Sequence, residues 1–380
     1  MLTSHDKILT THVGSLPRDA AVTEGVYAQE EGTLRDEAEL ARTIATAVRK
    51  VIHDQVDTGI DIVSDGEQSK ISYSTYIKHR LNGFSGGAKR DPAQDLLDYP
   101  GILERRAKLG TRSTFLPPVC QGEISVKTMA PLEADIDNLK AAVAEAQVAE
   151  AFMNSASPGV IALFQLNEHY PTHEDYLQAL AGAMRIEYEM IVDSGLLLQI
   201  DAPDLGMGRH TIFRNKTDAE FQKLAELHVE VLNHALRNIP ADRMRLHICW
   251  GNYEGPHHCD IPMEQVLPVV LKAKPQALLF ETSNPRHAHE WTVFRDASIP
   301  DDKILVPGVI DSTTNFIEHP ELVAERICKF TDIVGKDRVI AGTDCGFATF
   351  AGFGTVDADV VYAKLGALCE GAKLASSRLW

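Results

Sequence analysis

Six cysteines in 380 residues are few, and no two of them are spaced as C-x-x-C. That scarcity excludes a disulfide scaffold, a zinc ribbon and a thioredoxin-type redox motif, and it fits a reducing cytoplasm. No run of about 18 apolar residues occurs, so no membrane span is expected. The opening MLTSHDKILTTHVGSLPR lacks the apolar core of a signal peptide, so the NKT sequon at Asn215 is discounted. Basic residues are outnumbered, 37 Lys and Arg against 54 Asp and Glu, and a net charge of −17 repels nucleic acid. Nucleotide signatures are absent as well. There is no G-x-x-x-x-G-K-[ST] and no G-x-G-x-x-G after the first strand.

What is present is a series of short apolar runs separated by amphipathic stretches. The runs are KILTTHVG (7–14), DIVSDGE (61–67), VIALFQL (160–166), GLLLQIDAP (195–203), MRLHICWG (244–251), ALLFETS (277–283), ILVPGVID (304–311) and RVIAGTDCG (338–346). Between them, segments such as EAELARTIATAVRKVIHDQVDTG repeat apolar residues every three or four positions. Eight strand–helix units in series predict an α/β fold, a closed (β/α)₈ TIM barrel forming one domain over 1–380. Residues 84–158 read as an inserted hairpin and helix region after the second strand. GFATFAGFG (346–354) reads as a flexible glycine-rich loop.

Chemistry in such a barrel sits where strands end. The predicted ends carry Ser15, Asp65 and Glu67, Asp201, His247 and Cys249, Glu281, Asp311, and Asp344 and Cys345. His247 and Cys249 lie two apart on one strand and so share a face. In isolation the pair reads equally as buried packing, since Cys often serves as a small hydrophobe. Joined by Glu281 and Cys345 from two further strands, which a closed barrel brings to the same mouth, it becomes one imidazole, two thiolates and one carboxylate, a tetrahedral set suited to Zn²⁺ rather than to Mg²⁺ or Ca²⁺. Cys259, in a loop with His257 and His258, is the competing metal candidate. Cys328 and Cys369 fall within helical periodicity and read as core.

The motifs TTHVGSLPR, DGEQ, QIDAPDL, HICWGN, ETS and TDCG, in that order along essentially the whole chain, resemble the catalytic barrel of the cobalamin-independent methionine synthase family. The chain resembles the family's single-barrel form. The resemblance implies zinc on His247, Cys249, Glu281 and Cys345. It implies homocysteine held near Val13 and Ser15, with Glu67 and Asp201 as the carboxylates that meet its ammonium group. The expected partners are therefore a small-molecule thiol such as homocysteine and an alkyl donor, with no nucleic acid and no membrane, and with a homo-oligomer left open. Three departures fall on the donor side. Thr313 stands at or beside the place of the family's proton-donating histidine, no Trp occurs near LNEHY (166–170), and a glutamate of the family is replaced around Met207. The donor therefore need not be a folate. An alternative is the related epoxyalkane:coenzyme M transferase, which needs a cation for a sulfonate. Arg18, Arg209 and His210 are the candidates. A non-catalytic zinc-binding barrel is a third reading, and porphyrinogen-decarboxylating barrels, which need no zinc, are a fourth.

Overall fold

The computed structural model describes residues 1–108 and 116–380. In chain order the elements begin with β1 (Leu9–Thr10), α1 (Ala20–Glu30), α2 (Glu37–Thr58), β2 (Ile62–Ser64), β3 (Leu81–Ser85), α3 (Gln94–Asp98), α4 (Pro100–Lys108), β4 (Val119–Val126), α5 (Ala130–Ala146) and β5 (Glu150–Ala156). They continue with α6 (Pro158–Phe164), α7 (His173–Asp193), β6 (Leu197–Asp201), α8 (Asp218–Ala235), β7 (Met244–His247), α9 (Met263–Val270), β8 (Ala277–Phe280), α10 (Trp291–Asp296), β9 (Ile304–Ile310), α11 (Pro320–Val334), β10 (Ile340–Thr343) and α12 (Ala358–Leu379).

Eight parallel strands run β1-β10-β9-β8-β7-β6-β5-β2, and a bridge from Thr11 to Ile62 joins the two ends. The sheet therefore closes as the (β/α)₈ pattern predicts. Its strands are buried on both faces, because side chains of alternate parity enter two separate apolar cores. Leu197, Leu279 and Val306 belong to a small cluster inside the ring, while Leu198, Leu278 and Leu305 join the large core under the helices. Helix ends follow their capping residues. Asp36 accepts the Glu39 N–H at the start of α2, Gly59 ends it at φ 100°, and Thr217 with Glu220 forms a capping box on α8.

Two sequence expectations fail here, for one reason. VIALF was read as the third strand, yet Pro158–Phe164 is helical, with the Ser157 hydroxyl accepting the Val160 N–H and Pro158 in the first turn. All seven residues of α6 are buried, so no polar face reveals its period. The third barrel strand is β5, which pairs with β2 and β6 from inside the stretch assigned to the insertion. Helix α5 packs against α2 within that same stretch. The antiparallel hairpin β3–β4, with α3 and α4, is what intervenes between β2 and α5. Residues 109–115 of the expected insertion lie outside the described residues.

Candidate active site

Strand parity aims the functional side chains. In β7, Met244 and Leu246 pack outward, so Arg245, His247 and then Cys249 point into the ring. Register places Asp201 opposite His247 on the neighbouring strand. Beneath them, Arg245 is buried, lies 3.9 Å over the Phe152 ring and donates to Thr11 Oγ1 and the His12 carbonyl.

The ligand atoms of His247, Cys249 and Cys345 all lie within 4.8 Å of one another, and all three residues are buried. His247 Nδ1 is 3.5 Å from Asp201 Oδ1. His247 Nε2 is buried and has no hydrogen-bond partner among the described residues. An orphaned imidazole nitrogen beside two thiols fits a borderline-soft metal ion better than it fits a sealed core, where buried polar atoms are paired. The Cys345 thiol is pushed well above its ordinary value by its hydrogen bond to Cys249, by burial, and by the negative potential of Cys249 and Glu281. Two adjacent thiols cannot both ionise cheaply unless a cation stands between them.

Glu281 has a different environment. Its Oε1 accepts the Trp250 N–H at 2.8 Å and its Oε2 accepts from Asn284 at 2.7 Å. It stands outside the three-residue group, and burial together with Cys249 raises its pKa to about 7. Asp344 holds this turn in place by accepting the N–H groups of Thr282, Ser283 and Asn284.

His247, Cys249 and Cys345 form the floor of a cavity of about 480 Å³, which Val13, Ser15, Glu67 and Asp201 also line. Asp201 accepts from Asn154 Nδ2 at 2.9 Å and from Gln199 Nε2 at 2.9 Å. Both amides also donate to the Val13 carbonyl, and the Val13 N–H donates to Thr343 Oγ1. Both backbone groups of Val13 are therefore engaged by the protein itself. Glu67 sits at φ 56°, a left-handed conformation that a side-chain-bearing residue adopts at some cost. Its Oε2 is buried without a hydrogen-bond partner among the described residues, and burial, with Asp201 and Asp65 nearby, raises its pKa to about 7 against the pull of Lys70 and Arg18.

Asn154 and Gln199 were not expected at the site. Gln199 was legible, since it lies two before Asp201 on the same strand. Asn154 was hidden because its strand was read as insertion. The GFATFAGFG segment is not free either. Phe347 N–H donates to the Ser15 carbonyl, Ala351 N–H donates to that of Ile71, and Phe347 and Phe350 line the cavity. Glycine is needed at 346 because a Cβ there would collide with Ser15 Oγ.

On the expected donor side, Tyr170 stacks on Tyr176 and its hydroxyl accepts the Ile124 N–H, and the cavity is lined instead by Tyr73, Phe164 and Phe350. Met207 lines it too, whereas Thr313 caps Asp311 and takes no part in the lining. The loop candidate Cys259 is grouped with Asp98 and His258, not His257, at an exposed position. His257 is turned toward Asp260, which lies between His257 and His287 at 2.9 and 3.0 Å. Cys369 is buried as expected, and Cys328 is half-buried.

Comparison with known proteins agrees with this geometry. The family model described as "Cobalamin-independent synthase, Catalytic domain" matches residues 8–91 and 117–360. The chain is 26% identical over 376 residues to a methionine synthase of Saccharolobus solfataricus, covering 97% of this chain and 95% of that one. It is 23% identical over 374 residues to one from Sulfurisphaera tokodaii, covering 97% and 93%. Among solved structures, a B12-independent methionine synthase from Shewanella sp. W3-18-1 in complex with selenomethionine superposes with a TM-score of 0.74 at 22% identity, covering 98% of this chain and 99% of that one. A putative vitamin-B12 independent methionine synthase from Listeria monocytogenes gives 0.66 at 19%, covering 100% and 99%. With 328 positions of its barrel matched by one family model, and with strand ends that present the residues on which the resemblance rested, the chain belongs to the cobalamin-independent synthase catalytic-domain family.

Proposed function

We propose that this chain is a zinc-dependent S-methyltransferase that alkylates the thiol of homocysteine to give methionine. The observation that carries the reading is the convergence of His247, Cys249 and Cys345 on one point of the cavity floor, with His247 Nε2 unpaired. A zinc ion held by these three and by Glu281 would lower the pKa of a thiol that joins it and so supply a thiolate nucleophile at neutral pH. The chain's own residues do the rest. Asp201 steadies the His247 ring from its Nδ1 side. Glu67 and Asp201 present two carboxylates to the ammonium group of an amino-acid thiol. The substrate sulfur then displaces the carrier from the methyl carbon in line, and the bonding electron pair leaves with the carrier.

Relatives that carry the name methionine synthase over nearly their full length support this substrate. The coenzyme M alternative loses its expected cations. Arg18 donates to the carbonyls of Glu67 and Ala348, Arg209 pairs with Asp218 at 2.7 Å, and His210 is buried 3.2 Å from Asp260. A purely zinc-holding barrel would not need a large cavity opening onto the ligand cluster. X-ray absorption on the zinc-loaded protein, with and without homocysteine, tests the proposal. We expect one oxygen of the metal's shell to be exchanged for one sulfur as the thiol displaces Glu281, the weakest ligand. An unchanged shell at saturating thiol overturns it.

A further inference from the structure

Resting on that reading of the site, we infer that the outer half of the cavity selects an alkyl donor carrying an anionic group, and that Arg90 is the residue that reads it. The two ends of the cavity differ in charge. Glu67 and Asp201 bring two carboxyl groups to the floor, beside the thiols of Cys249 and Cys345. The outer wall is aromatic, with Tyr73 set edge-on to Phe164 at 5.3 Å and to Phe350 at 6.1 Å. Such a cluster admits two opposite classes of donor. Three rings around one space form a cage for a sulfonium or quaternary ammonium, which aromatic faces attract. A neutral or anionic carrier would use the same rings for apolar contact only.

Arg90 decides between them. Its guanidinium carbon lies 3.9 Å over the Phe164 ring, so that aromatic face is already taken by a cation. A second positive charge would lose the face and meet repulsion. Arg90 also lines the cavity, and its Nε is buried without a hydrogen-bond partner among the described residues. No carboxylate pairs with it among the described residues. Its neighbour Asp91 is engaged by Arg214 at 2.6 Å. A guanidinium over a ring face still has its N–H edges to offer, and those edges grip carboxylate, sulfonate or phosphate side-on. An unpaired, half-buried cation on a cavity wall is costly unless the ligand brings the counter-ion.

Three probes with one apolar body and three charges test this: 2-naphthoate, 2-naphthamide and (2-naphthyl)trimethylammonium. Each is titrated by calorimetry into the zinc-loaded wild type and into Arg90→Met and Arg90→Gln, together with homocysteine and mercaptoethanesulfonate. We expect wild type to bind the carboxylate about tenfold or more tightly than the amide, and the ammonium worst. Both variants should erase the carboxylate preference and gain affinity for the ammonium, with homocysteine affinity unchanged. An ammonium preference in wild type, or a carboxylate preference that survives both variants, overturns the inference. Weakened homocysteine or sulfonate-thiol binding with the naphthalene order intact places Arg90 on the acceptor and overturns it as well. If homocysteine fails to bind wild type while the naphthalene order holds, the functional reading fails and the anion site stands.

Discussion

His247 and Asp201 face each other across the β6–β7 register, with Nδ1 of the imidazole 3.5 Å from Oδ1 of the carboxylate. The contact leaves Nε2, which has no hydrogen-bond partner among the described residues, as the nitrogen available to a metal. Carboxylate–histidine pairs of this kind fix the tautomer and orientation of a metal ligand. Asp201→Asn should therefore weaken zinc binding by about 10–100-fold, since the Nδ1 side loses its charge. Competition titration against a chromophoric chelator measures this, and an unchanged zinc affinity would detach Asp201 from the metal site.

Purified protein should hold close to one zinc per chain. Cys249→Ser or Cys345→Ser should lose most of it, because a hard hydroxyl replaces a soft thiolate. Cys259→Ser should keep it, because Cys259 groups with Asp98 and His258 away from the cavity. Elemental analysis of the three variants decides; zinc lost with Cys259 and kept without Cys345 refutes the ligand set.

Glu67 links stability to pH. Its folded-state pKa is raised from 4.5 to about 7, chiefly by burial. A carboxyl with a raised pKa holds its proton more tightly when folded, so stability is highest below pH 4.5 and falls as pH rises through about 7. At ~1.36 kcal/mol per pH unit the loss is on the order of 3 kcal/mol. Glu67→Gln should flatten the profile across that window, as read by urea denaturation at pH 5 and pH 8. A variant with the same slope as wild type would show that Glu67 is not the source.

The same substitution separates the candidate thiols. An ammonium group beside Glu67 and Asp201 makes a desolvated charge pair, so Glu67→Gln should weaken homocysteine binding by about 2–4 kcal/mol. Mercaptoethanesulfonate has no ammonium, and its binding should hold or improve. Calorimetric titration of both thiols reads this directly. Wild type preferring the sulfonate, with homocysteine spared by the mutation, would transfer the site to a different thiol.

Gly308 on β9 tests how tightly the strand ends are packed. A Cβ there would lie 2.6 Å from the Asp344 Cα. Gly308→Ala should destabilise the fold by about 2–3 kcal/mol, the range for overpacking against backbone. Thermal denaturation measures it, and an unchanged melting temperature would mean that β9 and β10 can separate at low cost.

The sequence by itself determined the barrel and the convergence of His247, Cys249 and Cys345. Period-two alternation on β6 and β7 already sends Asp201, His247 and Cys249 to one side, because parity is a local property of extended backbone. Capping residues such as Asp36 and Thr217 likewise mark helix starts within a few positions. Tertiary structure alone decided the rest. The all-buried α6 shows no period, so its helical state follows from what surrounds it. With the third strand misplaced, Asn154 could not be recognised as a support of Asp201. Glu281 lies at the expected strand end, yet its carboxylate is turned to the Trp250 N–H and Asn284, a rotamer choice set by neighbours distant in sequence. Arg90 belongs to no motif in the sequence. Only the fold lays it on Phe164, 74 positions along the chain, because cation and ring meet through loops whose paths no local pattern encodes.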